Sequence, residues 1–260
     1  MPSQKEKWTV GPYRFEAVRT PAEALTQIEL EQLTPTLTAV ARAAFGVSQI
    51  TDSDVFLHAI QVEAAIYVWH GGKPIGFSSA ASIALASNTD VCYLEGTALL
   101  PEFQGVGLYP CITALRVLLW GAESQFIATR TQNALVCKNL ADLQPYPIFT
   151  HSQQFQRTAQ QLAHIIYTQM SDYRRPDGLR FEPHTGVFRE AYEGAMNPDR
   201  TLTGHAQLDR TMELLDVSRG DALLLVAPTN LPILRRMLTS SIARMGYANP
   251  FNLAFHDGTP

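Results

Sequence analysis

Between residues 64 and 99, apolar and polar positions follow the pattern of consecutive strands. The runs from Ala64 to Trp69 and from Pro74 to Ala84 flank the turn His70-Gly71-Gly72-Lys73, which is typical of a hairpin. The run from Val91 to Leu99 predicts a third strand. These three segments are expected to pair antiparallel, one after the other.

The segment before the hairpin predicts one strand and two short helices. Residues Tyr13 to Arg19 alternate as a strand does, and Thr20-Pro21 is a typical helix start. Helical spacing then appears on both sides of Pro35, which is expected to separate two helices, the second ending at Gly46. The apolar stripes consist of Leu25, Ile28 and Leu33 before the proline and Leu37, Val40, Ala41, Ala44 and Phe45 after it.

After the third strand, two glycines lead into a helix, a short strand and another helix. Gly105 and Gly107 precede the apolar helical run from Cys111 to Trp120, and the runs 125–130 and 133–143 predict the strand and the second helix. A strand that turns through glycines into a helix aims backbone N–H groups and the positive end of the helix dipole at one point, which suits a phosphate. The turn therefore predicts a nucleotide-like cofactor, with a plain tight turn as the alternative.

Beyond residue 150 the pattern weakens and then recovers. Helical spacing continues from Phe155 to Met170, whereas residues 173–204 are rich in Pro, Gly, Arg and Asp and predict mostly loop. The compact apolar run from Asp221 to Ala227 predicts a central strand, and the stretch from Asn230 to Gly246 predicts a helix. We expect a single domain over residues 1–260, with a core at 13–150, an elaboration at 151–216 and a final strand and helix at 217–246.

Composition narrows the classes of partner. The chain has 260 residues, of which 46% are hydrophobic and 17% charged, enough to bury a full core. The formal net charge of −4 and the lack of a long basic run argue against nucleic acid as a partner. The polar N-terminus and the lack of a long apolar segment indicate no membrane span and predict a cytoplasmic protein.

Cysteine and histidine positions predict neither a disulfide framework nor a metal site. Cys92, Cys111 and Cys137 fall inside predicted strands or helices without C-x-x-C spacing, so buried, reduced thiols are expected. The seven histidines are scattered, with no H-x-x-x-H pair.

The glycine turn resembles the core signature of the GNAT acyltransferase superfamily. The family pattern Q/R-x-x-G-x-G/A, within V-x-P-E-[YF]-[RQ]-G-x-G-[IL]-G, corresponds here to Leu99-Leu100-Pro101-Glu102-Phe103-Gln104-Gly105-Val106-Gly107-Leu108-Tyr109. Tyr109 departs from it, because the family has Gly or Ala there. The turn from Gly71 to Phe77, the helix opened by Asn133 and the order of elements from Tyr13 to Pro147 are similar to the family as well.

This resemblance implies an α+β fold, layered α/β/α, with a mixed and mostly antiparallel sheet flanked by helices and a C-terminal elaboration. It implies acetyl-coenzyme A, or another acyl-coenzyme A, as co-substrate, with the pyrophosphate on the backbone of the turn. Glycines are needed there because a Cβ would hold the phosphate off the backbone. The implied cofactor-binding residues are Leu99, Leu100, Gln104, Gly105, Val106, Gly107, Leu108, Tyr109 and Asn133.

Glu95 is the candidate general base. An alkylamine must lose a proton before it attacks a thioester, and Glu95 is the acidic residue inside the strand that precedes the turn. Its strand parity with Tyr93, Thr97 and Leu99 predicts that the four line one face. A carboxylate merely paired with an arginine is the alternative.

The general acid is less well indicated. Where family members carry a tyrosine that protonates the leaving thiolate, alignment from Asn133 places Leu140. Tyr109 and Tyr146 are the candidate substitutes, with simple packing as the alternative role for each. Arg130 and Lys138 are candidate contacts for the cofactor's phosphates, with solvated surface charge as the alternative.

The function expected from the resemblance is acyl-coenzyme A dependent N-acyl transfer, with acetyl passing to a small-molecule amine by direct attack in a ternary complex. The alternative is a degenerate, non-catalytic protein of the same fold that binds a ligand or a partner, because Tyr109 replaces a small residue. The acceptor amine is not indicated, and the oligomeric state stays open, with a homodimer as one alternative.

Overall fold

The computed structural model describes residues 5–85, 88–169, 180–192, 194–196 and 203–251. Within these residues one sheet of nine strands has helices on both faces, so the fold is α+β as expected, with mostly antiparallel pairing. The strands are β1 Lys5–Val10, β2 Tyr13–Arg19, β3 Ala64–His70, β4 Lys73–Leu85, β5 Thr89–Leu99, β6 Phe126–Thr131, β7 Phe181–Glu182, β8 Val187–Phe188 and β9 Ala222–Pro228. Their spatial order is β1-β2-β3-β4-β5-β6-β9-β8-β7.

Eight α-helices lie between or after these strands in the described part of the chain. They are α1 Pro21–Ala24, α2 Gln27–Phe45, α3 Asp52–Val55, α4 Leu108–Trp120, α5 Ala134–Asn139, α6 153–169, α7 Ala206–Met212 and α8 Leu231–Arg244. A π-helical turn, Phe56–Ile60, continues α3, and 3₁₀ turns occupy Pro101–Phe103, Ala141–Leu143 and Val217–Arg219. None of the described helices has the length and apolar character needed to cross a membrane.

Apolar residues on the two faces of the sheet pack against different helices. Helices α4 and α8 lie together on one face, where the largest core cluster includes Leu94 and Ile112. Helix α2 covers β2 to β5 on the opposite face around Leu37, and α6 covers the sheet next to it around Leu162. The sheet is therefore buried on both sides over most of its width.

The predicted strands β2 to β6 and β9, and the predicted helices α4 and α8, are confirmed with shifts of a few residues at their ends. Strand β9 is central, because β6 and β8 both pair with it. Helix α8 begins as expected at Asn230, whose side chain accepts a hydrogen bond from the N–H of Ile233 at 3.1 Å.

The prediction that Pro35 separates two helices was wrong. Helix α2 runs through this proline, although the ring removes one backbone hydrogen bond. Leu33 before it and Leu37, Val40 and Ala41 after it all pack in one cluster against the sheet. Burial of this continuous stripe offsets the lost bond.

The prediction of mostly loop over residues 173–204 lies partly outside the described residues, and over 180–192 it was incomplete. Strands β7 and β8, of two residues each, pair there as a hairpin, and β8 extends the sheet beyond β9. Strand β1 was not predicted either. It pairs with all of β2 through a turn at Gly11, so the sheet begins before residue 13.

Candidate functional site

Strands β5 and β6 pair over four residues and then separate. They are parallel neighbours from the pair Val91 and Phe126 to the pair Leu94 and Thr129, and no pairing continues beyond. Strand β5 stays paired with β4 up to Leu99, and β6 stays paired with β9 up to Thr131. The sheet is thus split into two halves, and we call the space between residues 95–99 of β5 and residues 130–131 of β6 the strand gap.

A β-bulge lies where β5 leaves β6. Ser78 pairs with Thr97 and Ala80 pairs with Leu94, so Ser79 of β4 faces two residues of β5, Glu95 and Gly96. The extra residue changes which side chains share a face. The prediction that Tyr93 and Leu99 lie on one face was therefore wrong, because they pack in clusters on opposite faces of the sheet.

Gly96 leaves the edge of β5 accessible at the strand gap. It is exposed although Leu94 and Ala98 are buried, and a Cβ built on Gly96 would have no atom within 4 Å. Since β6 has already left, the backbone of β5 here has an open side in the middle of a sheet. An extended ligand could pair with such an edge.

Glu95 lies at this bulge. Its Oε2 is buried and has no hydrogen-bond partner. Burial raises the pKa of the Glu95 carboxyl to about 7, and the Glu63 carboxylate adds to the rise. The Ser79 hydroxyl and the cations of Arg116 and Arg130 act in the opposite direction on the pKa of Glu95. A carboxyl with a pKa near neutrality is suited to accept a proton at physiological pH.

The glycine turn lies at the end of β5. Gln104 stabilises it, because its side-chain amide donates to the carbonyl of Leu99 at 2.9 Å. Gly105 and Gly107 have φ angles of 77° and 105°, which favour glycine. Among the described residues, no protein acceptor receives the N–H groups of residues 105–109. These groups surround the N-terminus of α4, an arrangement whose unpaired N–H groups and helix dipole favour an anion.

The two glycines face different surroundings. A Cβ on Gly105 would have no atom within 4 Å, so that side of the turn is open. A Cβ on Gly107 would lie 2.9 Å from the carbonyl oxygen of Ser241 and 3.6 Å from Cδ of Arg244, both in α8. The expectation that Gly107 lets a phosphate approach stays a prediction, and the structure adds a second reason for glycine at this position. A side chain here would collide with α8, which packs against Gly107.

Three polar residues of α4 lie on one face of an otherwise apolar helix. Tyr109, Thr113 and Arg116 are spaced by four and three residues, so they share a face. Arg116 is only 1% exposed, and its Nη1 donates to the carbonyl of Ser79 at 2.6 Å. Burial raises the pKa of the Tyr109 phenol, while the nearby Arg116 opposes that rise. Glu95 and Tyr109 thus both lie within electrostatic reach of Arg116.

Other predicted site residues are engaged in the fold. The N–H of Leu100 donates to the carbonyl of Ile75 at 2.9 Å, so it is not free for a ligand, and the carbonyl of Leu99 already accepts one hydrogen bond from Gln104. Asn133 caps α5 by accepting from the N–H of Leu135 at 2.8 Å.

The candidate phosphate contacts and the second candidate acid are engaged too. Lys138 donates to the carbonyl of Thr203 at 3.0 Å. The Arg130 guanidinium lies over the rings of Tyr192 and Phe188, 4.7 Å and 5.5 Å from their centroids. Tyr146 is fully buried and donates its hydroxyl to Pro183, which argues against a role as the acid.

The three cysteines are buried and free, as expected. Burial raises the pKa of each thiol to about 12, so none is a ready nucleophile. Leu140 is also buried, at 2% exposure, and it offers no proton. In the described part of the chain, no three His, Cys, Asp or Glu side chains are grouped so that they could hold a metal ion.

Sequence reasoning missed Ser79, Arg116 and Arg244. The bulge that involves Ser79 was signalled only by Gly96, a glycine inside a strand. Arg116 could have been noticed, because it is the one charged residue in the run from Leu108 to Trp120. Nothing in the sequence indicated that Arg244 would lie against the glycine turn.

No protein-family model matches this chain, and none of the curated proteins matches it in sequence. Solved structures resemble it in fold. The ribosomal-protein-S18-alanine N-acetyltransferase from Escherichia coli is 11% identical, over 82% of this chain and 93% of that one, with a TM-score of 0.43. Naa50 from Arabidopsis thaliana, in complex with a bisubstrate analogue, is 10% identical over 83% and 99%, with a TM-score of 0.40.

A GNAT family acetyltransferase from Brucella melitensis, in complex with acetyl-CoA, is 13% identical over 44% of this chain and 74% of that one, with a TM-score of 0.32. At these identities and TM-scores the likeness is not evidence for a shared activity.

Proposed function

We propose that this chain is a GNAT-type acyltransferase that binds an acyl-coenzyme A at the strand gap and transfers the acyl group to an amine. The observation that carries the proposal is that one strand, β5, leads to two features that suit coenzyme A. Strands β5 and β6 separate after Leu94, and the same strand β5 leads into a turn with unpaired N–H groups at residues 105–109. An extended thioester arm and a pyrophosphate are the two parts of coenzyme A that need these two features.

The residues present fit the phosphate-bearing part of coenzyme A. The open side of Gly105 leaves room for a phosphate against the backbone, and the N-terminus of α4 favours negative charge. Arg244, exposed in the last turn of α8, lies beside Gly107 and adds a positive charge next to the turn. The backbone at Gly96 is the open edge for the pantetheine arm, since Leu99 and Leu100 are already engaged.

Glu95 is the proposed general base. In its ionised form it removes a proton from the ammonium group of the acceptor, directly or through one water. The free amine attacks the thioester carbonyl, so a C–N bond forms and the C–S bond breaks. Because the pKa of Glu95 is raised to about 7, the carboxylate is basic enough for this step and still ionised in a large fraction at neutral pH.

Tyr109 is the proposed general acid. Its phenol stays protonated at neutral pH, because burial raises its pKa further above the ordinary value. It can therefore donate its proton to the thiolate that leaves. Two observations support this role: Tyr109 lies at the start of α4, next to the unpaired N–H groups of the turn, and it is within electrostatic reach of Arg116, which also acts on Glu95.

The acceptor is proposed to be a small-molecule amine and the acyl group to be acetyl. A second candidate function is binding without catalysis. It is favoured by Tyr109 itself, because a large side chain stands at the helix start where the resembled family has Gly or Ala, and by the buried Leu140 where that family has a tyrosine.

The test has two steps. Thermal unfolding is measured with coenzyme A and acetyl-, propionyl- and succinyl-coenzyme A. A ligand present at 100 times its Kd is expected to add about 2.7 kcal/mol to the free energy of unfolding. Release of free coenzyme A is then followed with a panel of primary amines. No shift with any of these ligands sinks the proposal, whereas a shift without turnover on any amine favours the second candidate.

A further inference from the structure

Arg116 is a buried charged residue that has no role in the mechanism proposed above. It lies in the apolar helix α4 and is 1% exposed. A buried guanidinium costs several kcal/mol unless its charge and its N–H groups are matched. Among the described residues it makes one hydrogen bond, the 2.6 Å contact from Nη1 to the carbonyl of Ser79, and its Nε is buried without a partner.

The Ser79 carbonyl belongs to the bulge. Because Glu95 and Gly96 together oppose Ser79, this residue has no paired residue on β5, although its neighbours Ser78 and Ala80 do. Arg116 reaches from α4 to this carbonyl and supplies a hydrogen bond where the β4 and β5 pairing is interrupted. On the other side, the hydroxyl of Ser79 donates to the carbonyl of His58 at 2.8 Å. Ser79 is thus fixed from two directions.

The charge of Arg116 acts on Glu95 without a direct ion pair between them. Among the described residues, no salt bridge within 4.0 Å joins the two, yet each affects the protonation of the other. The other charged groups that act on Glu95 are Glu63 before β3 and Arg130 in β6. Those that act on Arg116 besides Glu95 are Tyr109 and Cys92, both neutral at pH 7 because burial raises their pKa values.

We propose that Arg116 is a positioning residue, which fixes the bulge that carries Glu95 and supplies the positive charge that keeps this carboxylate available as a base. The inference rests on the proposed function, because it assigns a role in that reaction. It also has a part that is independent of any activity, namely the electrostatic coupling between Arg116 and Glu95. A residue that only filled space in α4 would show no such coupling.

The coupling can be measured through stability. The carboxyl of Glu95 has a folded pKa of about 7 and an ordinary value of 4.5. Between these two pH values the unfolded chain loses the proton and the folded chain keeps it, so the folded state becomes less stable as the pH rises. Above about pH 7 the loss is complete. The melting temperature of Glu95→Gln should therefore exceed that of the wild type by a margin that grows from pH 4.5 and levels off near pH 7.

Three substitutions separate the roles of Arg116. Arg116→Gln keeps a hydrogen-bond donor and loses the charge, Arg116→Lys keeps the charge, and Arg116→Met loses both. The difference in melting temperature caused by Glu95→Gln is measured in each of these backgrounds. Arg236→Gln, at an exposed position of α8, is the matched control background. In the Gln background the pH at which the margin levels off is expected to rise by about one unit, because an opposite charge close by lowers a carboxyl pKa by about 1–3 units. The Lys background should stay close to wild type, and the control should not differ from it.

The same variants are then assayed for acyl transfer. Arg116→Gln should shift the pH at half-maximal kcat/KM upward by about one unit, with a loss of about tenfold at pH 6 and recovery toward pH 9. The inference is overturned if the pH at which the melting-temperature margin levels off is the same in Arg116→Gln as in the wild type. It is also overturned if the margin depends on pH in the same way in the Gln and Lys variants. Absence of turnover by the wild type with every acyl-coenzyme A counts against the proposed function, while the shifted stability plateau still reports the coupling. If Arg116→Met fails to fold, the Gln and Lys pair decides.

Discussion

The hydroxyl of Thr129 donates to the carbonyl oxygen of Leu94 at 2.9 Å, at the last pair before β5 and β6 separate. Both residues are buried, so an unpaired carbonyl at this point would be costly. A side chain thus takes the place of the next backbone hydrogen bond in the parallel ladder. The strand gap is therefore a built feature of the sheet, with its inner end closed by Thr129.

Replacement of Glu95 by Gln should lower turnover strongly and leave binding intact. The amide cannot take a proton from the acceptor, and loss of a general base costs about 10²- to 10⁴-fold. The phosphate cradle at residues 105–109 is untouched, so the Kd for acetyl-coenzyme A should change by less than about twofold. Steady-state kinetics and calorimetric titration measure the two quantities. The exposed Glu123→Gln, just after α4, is the matched control, and unchanged turnover of Glu95→Gln would remove this residue from the mechanism.

The rate should follow the ionisation of Glu95. A base with a pKa of about 7 is active when deprotonated, so kcat/KM should rise about tenfold per pH unit below pH 7 and level off above it. The profile is recorded from pH 5 to pH 9 at saturating acetyl-coenzyme A. In Glu95→Gln the inflection near pH 7 should disappear. An inflection that persists in the variant would assign it to another group.

The sequence predicted those elements whose signals are local. Alternating strands around Gly71 and Gly72, a helix between Gly107 and Gly121, and the strand that ends at Pro228 all follow from periodicity and from breaking residues close by. Strand β1 was missed because its polar, exposed positions carry little pattern, and β7 and β8 because two residues are too short for any. Helix α2 passes through Pro35 because packing against the sheet outweighs a local signal.

The same distinction applies to the site. The sequence singles out the glycine turn and Glu95 because they lie within one short segment of the chain. The bulge, however, depends on how β5 pairs with β4, and Arg116 meets Ser79 across 37 positions of sequence. Arg244 reaches Gly107 only because α8 packs along α4. Contacts between distant segments have no signature in a single sequence, and they decide the electrostatics around Glu95.

Alanine at the two glycines of the turn should have different effects. At Gly107 it meets a φ of 105° and the carbonyl of Ser241, so Gly107→Ala should lower the free energy of unfolding by about 1–3 kcal/mol. At Gly105 the side chain enters open space, so only the cost of its φ of 77° remains, about 1–2 kcal/mol. Gly105→Ala should instead weaken binding of coenzyme A. Urea unfolding and calorimetry check both effects, and equal loss of stability without any loss of affinity would contradict this assignment.

Tyr109→Phe tests the proposed acid. The ring is kept, so its packing against the core and the binding of coenzyme A should persist, while loss of the proton donor should lower kcat by about 10- to 100-fold. The loss should be smaller with an acyl donor whose thiol leaves more readily, such as an aromatic thioester, because a good leaving group needs less protonation. Tyr167→Phe in α6, on the other face of the sheet, is the control. An equal kcat in Tyr109→Phe and the wild type would return Tyr109 to a packing role.

Arg244→Gln should weaken the binding of phosphate-bearing donors selectively. The side chain lies against Gly107 at the turn, and among the described residues no carboxylate forms an ion pair with it. An exposed cation near a phosphate contributes about 1 kcal/mol, so KM for acetyl-coenzyme A should rise about fivefold. With S-acetylpantetheine, which lacks the phosphates, KM should not change.

A purely structural role of Arg244 makes a different prediction. Its charge sits in the last turn of α8, where it also interacts favourably with the helix dipole. If that were its only role, Arg244→Gln would lower the melting temperature slightly and would affect both donors alike. Arg244→Lys keeps the charge and should restore the preference for the coenzyme, while Arg236→Gln, exposed on the same helix, should leave both KM values unchanged. The ratio of the two KM values therefore decides whether α8 contributes to the phosphate site.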